Sequence, residues 1–296
     1  RIFTWLFFSL QVLFLLLFKY RKGELFLVSN PPGNVFWGWF FSKRLKYFLV
    51  YDLYPDALFE YNILNSKSFL GKLWQRFNCR TFQYCRKVFC LSNGMRERVG
   101  RYVTSDKISI VPVWSDNYFL KPISKEDNLF LKNKDFKEKF LIVYSGNMGR
   151  THPVEKLVEI AKLLDSDRFH IVLIGGGYKY SLIRGIISSS KIDNIELFPW
   201  QPVEMLPYTL SAADLNIVTL DKESSKLSVP SKTFDIMSVG NPILALASKE
   251  SELYNIIHGY SIGEVFEENE TESICKYINE LYENKLKHKE LSSNSL

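Results

Sequence analysis

Cysteine is scarce and unpatterned in this chain. Cys79, Cys85, Cys90 and Cys275 show neither metal-ligand spacing nor the density of a small disulfide-held scaffold, which leaves a reducing cytosol as the default setting. No methionine precedes Met95 and the first residue is Arg1, so sequence is expected to be missing on the N-terminal side. The G-x-G-x-x-G spacing of dinucleotide binders is absent, which removes the main support for a nicotinamide enzyme. There is no repeat of solenoid length and no low-complexity tract. The basic residues are dispersed rather than gathered on one reading element, which argues against nucleic acid as a partner. The net charge of +6 suits an anionic ligand or an anionic membrane surface without demanding either.

What is present is alternation of short apolar runs with helical periodicity. In the first half, Leu25–Ser29, Phe48–Tyr51, Val88–Leu91 and Ile108–Val111 read as strands, and Phe69–Cys85 reads as a helix. In the second half, Phe140–Tyr144, His170–Ile174, Ile195–Phe198, Leu215–Thr219 and Ile243–Ala247 read as strands. Helices are expected near Pro153–Leu164, Tyr180–Ser189, Glu204–Ala213, Ser231–Val239, Glu250–His258 and Glu272–Tyr282. Strands so apolar, joined by helices, predict parallel sheets covered on both faces, an α/β architecture. Residues 1–113 are expected as one domain and 140–296 as a second. The charge-mixed stretch 114–139 is expected as the linker, and the polar tail from Lys285 as frayed.

The uncharged run Ile2–Phe18 would span roughly 25 Å as a helix, the short limit for a bilayer. A buried helix, a membrane-dipping helix and a true span all fit it, and Lys19, Arg21 and Lys22 would sit on the cytoplasmic side if it inserts. The aromatic-basic stretch Val35–Lys46 fits either an interfacial surface or a core helix with a solvated end.

Ligands of open parallel sheets sit beyond the C-terminal strand ends, and several notable segments fall there. After Tyr144 comes Ser145-Gly-Asn-Met-Gly-Arg150, read as a small loop running into a helix. Gly146 and Gly149 allow backbone to approach a phosphate there, and Arg150 can pair with it. Gly175-Gly-Gly177 follows the next strand. Pro199-Trp-Gln-Pro202 follows the third, where Trp200 and Gln201 could meet a base or simply pack. The segment Ser228-Val-Pro-Ser-Lys-Thr-Phe-Asp-Ile-Met-Ser-Val-Gly-Asn-Pro242 reads as a short helix started at Pro230 and Ser231 and stopped at Gly240. Lys232 at its start offers a full positive charge to a diphosphate, and Asp235 one turn on offers a carboxylate to ribose hydroxyls. The plainer alternative is a Lys232–Asp235 ion pair on a capped surface helix. In the first half Asp52, at a strand end, is either an acceptor-side carboxylate or a turn former before Pro55.

These segments together resemble the GT-B glycosyltransferases of the retaining family-four type, in the branch that builds capsule, O-antigen and colanic-acid-like polysaccharides. The shared residues are Tyr144-Ser-Gly-Asn-Met-Gly149, Ile174-Gly-Gly-Gly177, Leu206-Pro207, Ala213-Asp214, Val229-Pro-Ser-Lys232 and Gly240-Asn-Pro242. Asn30-Pro-Pro32, Asp52-Leu-Tyr-Pro-Asp56 and Val111-Pro-Val-Trp114 join them from the first half. The resemblance implies two Rossmann-like domains, the N-terminal one incomplete here. It implies transfer of a sugar from a nucleotide sugar, often UDP-linked, to a lipid-linked saccharide acceptor at the cytoplasmic face of the inner membrane. Gly146, Asn147, Gly149, Arg150, Ser231 and Lys232 would hold the diphosphate, Asp235 the ribose and the Trp200-Gln201 loop the base. No cofactor and no metal is implied. The chain departs from the family pattern where its paired glutamates would fall, at Leu227 and Asp235, and Asn147 replaces the usual arginine. A non-catalytic nucleotide-sugar-binding or scaffold subunit, and a GT-B sugar-nucleotide epimerase, are the rival functions.

Overall fold

The computed structural model describes residues 2–150, 152–220 and 230–296, so Leu227, Ser228 and Val229 lie outside the described residues. The chain divides into two units, Arg1–Val113 and Trp114–Leu296.

The first unit opens with helix α1 (Ile2–Phe14), which runs into a π-helical turn at Leu15–Lys19. Four parallel strands follow in sequence order, β1 (Leu25–Val28), β2 (Leu45–Val50), β3 (Lys87–Cys90) and β4 (Ile108–Ile110). Helices α2 (Asn34–Phe40), α3 (Asp56–Glu60), α4 (Phe69–Tyr84) and α5 (Asn93–Val99) connect them. Ser68 and Ser92 each accept a hydrogen bond from a first-turn N–H, which fixes where α4 and α5 begin. Phe48, Phe82, Val88 and Val99 form the core between sheet and helices. Within this unit α1 is not a buried helix: Phe3 is 89% exposed and Phe7 64%, with Leu10, Phe14 and Phe18 also open. No helix among the described residues is long and apolar enough to cross a membrane.

The second unit holds six parallel strands: β5 (Phe140–Asn147), β6 (Phe169–Gly176), β7 (Ile195–Phe198), β8 (Leu215–Thr219), β9 (Ile243–Leu246) and β10 (Gly263–Phe266). Their spatial order is β10-β9-β8-β5-β6-β7. Counted from β5, that is the doubly wound order 3-2-1-4-5-6, with its switch point between β5 and β8. The helices are α6 (Lys156–Leu163), α7 (Tyr180–Ser189), α8 (Leu206–Ser211), α9 (Lys232–Ser238), α10 (Glu252–Gly259), α11 (Thr271–Glu283) and α12 (Lys285–Ser295). Every residue of β6 is buried, as a central strand covered on both faces requires.

Two stretches differ from the expectations of the sequence. Residues 114–139 belong to the second unit rather than standing as a separate linker. Leu120 packs into one of its core clusters and Phe130, Leu131 and Phe136 into another, while Lys125 pairs with Asp214 at 2.6 Å. The tail from Lys285 is helical rather than frayed. It is capped by Asn284, packed through Leu291, and tied by Ser295 Oγ to the Asn241 carbonyl at 3.0 Å. The wide spacing of its anchors, among lysines and serines, hid both features.

Candidate active site

Strands β5 and β6 carry glycines at matched positions where they leave the sheet, Gly146 opposite Gly175 and Asn147 opposite Gly176. A Cβ on Gly175 would run into the carbonyl oxygen of Gly146, and its φ of +143° also disfavours side chains. The two turns are stitched together by Met148 N–H to the Gly176 carbonyl at 2.7 Å and Lys179 N–H to the Met148 carbonyl at 2.8 Å. The glycine segment does not open a helix, as the sequence suggested. Strand β5 continues to Asn147 and α6 starts only at Lys156, so backbone shape and not a helix end makes this surface.

Lys232 is the cation of the switch point. A Cβ on Gly146 would collide with its Nζ, which places the ammonium directly against the turn. Among the described residues that Nζ is buried with no hydrogen-bond partner. It lies 4.5 Å from the centroid of the Tyr144 ring. Burial lowers its pKa from 10.5 to about 8, the nearby Asp235 charge opposing the shift. The alternative reading, a Lys232–Asp235 ion pair, is not formed among the described residues. Asp235 instead accepts a hydrogen bond from Ser115 Oγ, and Ser238 Oγ donates to Asn117 Oδ1 at 2.9 Å. Residues 115–117 thus hold one flank of α9.

Other site residues predicted from sequence gather at the same edge. The Arg150 guanidinium stacks 4.2 Å from the centroid of the Tyr178 ring. Trp200 is 59% exposed, and its Nε1 would lie 2.8 Å from a Cβ on Gly176. Gln201 Nε2 donates to its own loop, to the Pro199 carbonyl at 2.9 Å. Asn147 gives its carbonyl to Tyr144 Oη at 2.8 Å. Gly149 closes the turn, its carbonyl accepting from His152 N–H at 3.3 Å. Ser231 occupies the residue before α9, but its side chain makes no capping bond, and its φ and ψ are already helical.

Three participants were not anticipated: Tyr144, Tyr178 and Ser115. Tyr178 directly follows the triple glycine, a signal that was available. Tyr144 sits in a wholly apolar run, where an aromatic reads as core.

Asp52 lies in the first unit, just past β2. Its N–H donates to Ser29 Oγ at 3.1 Å, alongside Tyr51 N–H at 2.9 Å, and burial raises the pKa of its carboxyl. Asp56 has a structural role: Tyr102 Oη donates to it and Arg101 stands 3.8 Å away.

Comparison with known proteins agrees with this geometry. The family model "Glycosyl transferases group 1" matches residues 125–295. The chain is 24% identical over 269 residues to the probable glycosyltransferase WbjE of Pseudomonas aeruginosa, covering 89% of this chain and 67% of that protein. It is 25% identical over 161 residues to the putative colanic acid biosynthesis glycosyl transferase WcaI of Escherichia coli (strain K12), covering 54% of this chain and 40% of that protein. The chain therefore spans about two thirds of one relative and less than half of the other. Among solved structures, Anabaena Alr3699/HepE in complex with UDP-glucose superposes with a TM-score of 0.71 at 14% identity, covering 91% of this chain and 72% of that one. Two parallel α/β units, a switch-point cation against a glycine turn and a family match over more than half its length agree: the chain belongs to the group 1 glycosyl transferases, with the GT-B fold of two Rossmann-like domains.

Proposed function

We propose that the second unit binds the diphosphate of a nucleotide sugar, UDP-linked, and that the protein transfers the sugar to a lipid-linked saccharide in cell-surface polysaccharide synthesis. One observation carries this reading. A buried ammonium with no acceptor among the described residues faces a glycine turn at the topological switch point of the sheet. Such a group is unfavourable until an anion arrives, and a diphosphate supplies both the charge and the acceptor oxygens.

In the proposed reaction the bond from the anomeric carbon to the β-phosphate oxygen breaks, an acceptor hydroxyl oxygen takes its place with retention of configuration, and the hydroxyl proton passes to the departing diphosphate. The charge gathering on the departing diphosphate falls to Lys232 and Arg150. The Gly146–Gly149 turn, with Asn147 and Ser231, lines the phosphates. Asp235 takes the ribose in exchange for the Ser115 hydroxyl, and Trp200 with Gln201 meets the base. Asp52 serves on the acceptor side. No metal ion or cofactor is part of the proposal. The apolar face of α1, with Lys19, Arg21 and Lys22 behind it, suits the anionic cytoplasmic surface of a membrane, where a lipid-linked acceptor resides.

The test is thermal stabilisation by a panel of nucleotides, with Lys232→Ala as control. A ligand at a hundredfold its Kd contributes about 2.7 kcal/mol, enough to raise the melting temperature by several degrees. UDP is expected to stabilise the wild type and not the variant. If no nucleotide stabilises the protein, or the variant responds equally, the donor site is misassigned.

A further inference from the structure

Lys232 is held in an unusual way for a buried lysine. A buried ammonium is ordinarily answered by a carboxylate or by carbonyl oxygens. Here, among the described residues, its neighbours are the open turn at Gly146 and the face of Tyr144, 4.5 Å from the ring centroid. The closest carboxylate on its own helix, Asp235, is turned to Ser115. An aromatic face attracts a cation without consuming any of its N–H donors. A carboxylate in the same place would take those donors and cancel the charge.

Tyr144 is itself fixed from every side. It is fully buried in β5 and packed in the main core of the second unit. Its hydroxyl donates to the Asn147 carbonyl at 2.8 Å and is hydrogen-bonded to the Thr219 side chain at the end of β8. One side chain therefore touches the ammonium through its ring, the glycine turn through its hydroxyl, and both strands that flank the switch point.

We propose that Tyr144 is the positioning residue of this site: its ring keeps the Lys232 ammonium in place and uncommitted, and its hydroxyl sets the Gly146–Asn147 turn against it. The proposal rests on the assignment of Lys232 to the donor diphosphate. It adds that the cation is prearranged by a ring quadrupole rather than recruited when the donor arrives.

The experiment is UDP binding by calorimetry from pH 6.5 to 9. It compares the wild type, Lys232→Ala, Tyr144→Phe, Tyr144→Leu, and the chain carrying 3,4,5-trifluorophenylalanine at position 144. Melting temperatures are recorded in parallel. Tyr144→Phe keeps the ring but loses the hydroxyl bond to the Asn147 carbonyl, and is expected to bind UDP several-fold more weakly than wild type but more tightly than Tyr144→Leu. Tyr144→Leu is expected to weaken binding tenfold or more at pH 7. It is also expected to move the alkaline loss of affinity to lower pH, because the Asp235 charge then favours the protonated amine without the ring's help. Loss of packing alone would admit water to the amine and move that midpoint to higher pH, the opposite direction.

The fluorinated residue has nearly the shape of phenylalanine but an electron-poor face. It keeps the test open should Tyr144→Leu not fold, and it is expected to bind several-fold more weakly than Tyr144→Phe. Equal affinity of the fluorinated and phenylalanine proteins, or a Tyr144→Leu protein with wild-type affinity and pH midpoint, would overturn the proposal. Absence of UDP binding in the wild type, or full binding by Lys232→Ala, would instead remove the donor site on which it rests.

Discussion

Burying an ammonium without an acceptor costs stability, and Lys232, which has none among the described residues, carries that cost in the free protein. Its folded pKa of about 8 lies below the ordinary lysine value of 10.5, so between those limits the unfolded chain holds a proton that the folded chain has released. The cost is therefore full below about pH 8 and disappears as the pH rises through 10.5, so this group makes the free protein more stable over that window. Lys232→Met keeps the aliphatic stem and removes the charge. It is expected to stabilise the free protein at pH 7 by on the order of 1–3 kcal/mol, read as a higher melting temperature, while abolishing stabilisation by UDP. A lower melting temperature for the variant would show that the ammonium is satisfied in the free protein. Two glycines at the same place separate site from scaffold. An added methyl at Gly146 meets the far end of a flexible lysine, whereas one at Gly175 meets backbone. Gly146→Ala should fold within a few degrees of wild type and lose UDP. Gly175→Ala should lose roughly 3 kcal/mol or more of stability, visible as a lowered urea midpoint. Similar behaviour of the two would contradict the close packing described here.

Helix α9 is short, and its neighbours hold it in place more than its own hydrogen bonds do. Residues 115–117 hold one flank through Asp235 and Ser238, and α12 reaches the loop beyond it through Ser295 to the Asn241 carbonyl and through Leu296 against Gly240. Ending the chain after Asn284 should therefore lower stability by on the order of 2 kcal/mol, and weaken UDP binding although no removed residue touches the site. Unchanged UDP affinity in the shortened chain, measured by calorimetry, would show that α9 needs no such support. The parallel strands were legible because central strands are unbroken apolar runs. Strand β10 was not, because Gly263-Glu-Val-Phe266 is a short edge strand with only its last two residues buried. Lys232 was legible from its place after Pro230-Ser231. That Tyr144 lies beneath it was not, since the contact joins β5 to α9 across the sheet edge and leaves no local spacing to read.

At the scale of the whole molecule, each of the two units closes its own core, while α1 leaves a run of large aromatic and aliphatic side chains open. Arg44 ties the end of that helix to the basic loop, its guanidinium donating to the Leu16 carbonyl at 3.2 Å and to the Tyr20 carbonyl. Apolar side chains backed by Lys19, Arg21 and Lys22 should bring the protein down with vesicles containing phosphatidylglycerol. Binding should fall several-fold in 0.5 M salt and in a Phe7→Glu, Phe14→Glu variant. Equal sedimentation with neutral vesicles, or none with either, would count against a membrane-facing role. The sequence left this run open between a buried helix, a membrane-dipping helix and a span, because an apolar stretch of this length satisfies all three patterns. In the same first unit, Asp52→Asn should depress transfer to acceptor while leaving UDP stabilisation of the protein unchanged. Lost UDP stabilisation would place Asp52 with the donor instead.

The central claim is that Lys232 and the Gly146 turn grip the diphosphate of the donor, and a crystal structure of the protein with UDP tests it most directly. A β-phosphate oxygen is expected within about 2.7–3.2 Å of Lys232 Nζ, with the phosphates lying over Gly146. A bound UDP whose phosphates lie elsewhere, with the ammonium still unpaired against Tyr144, would contradict it.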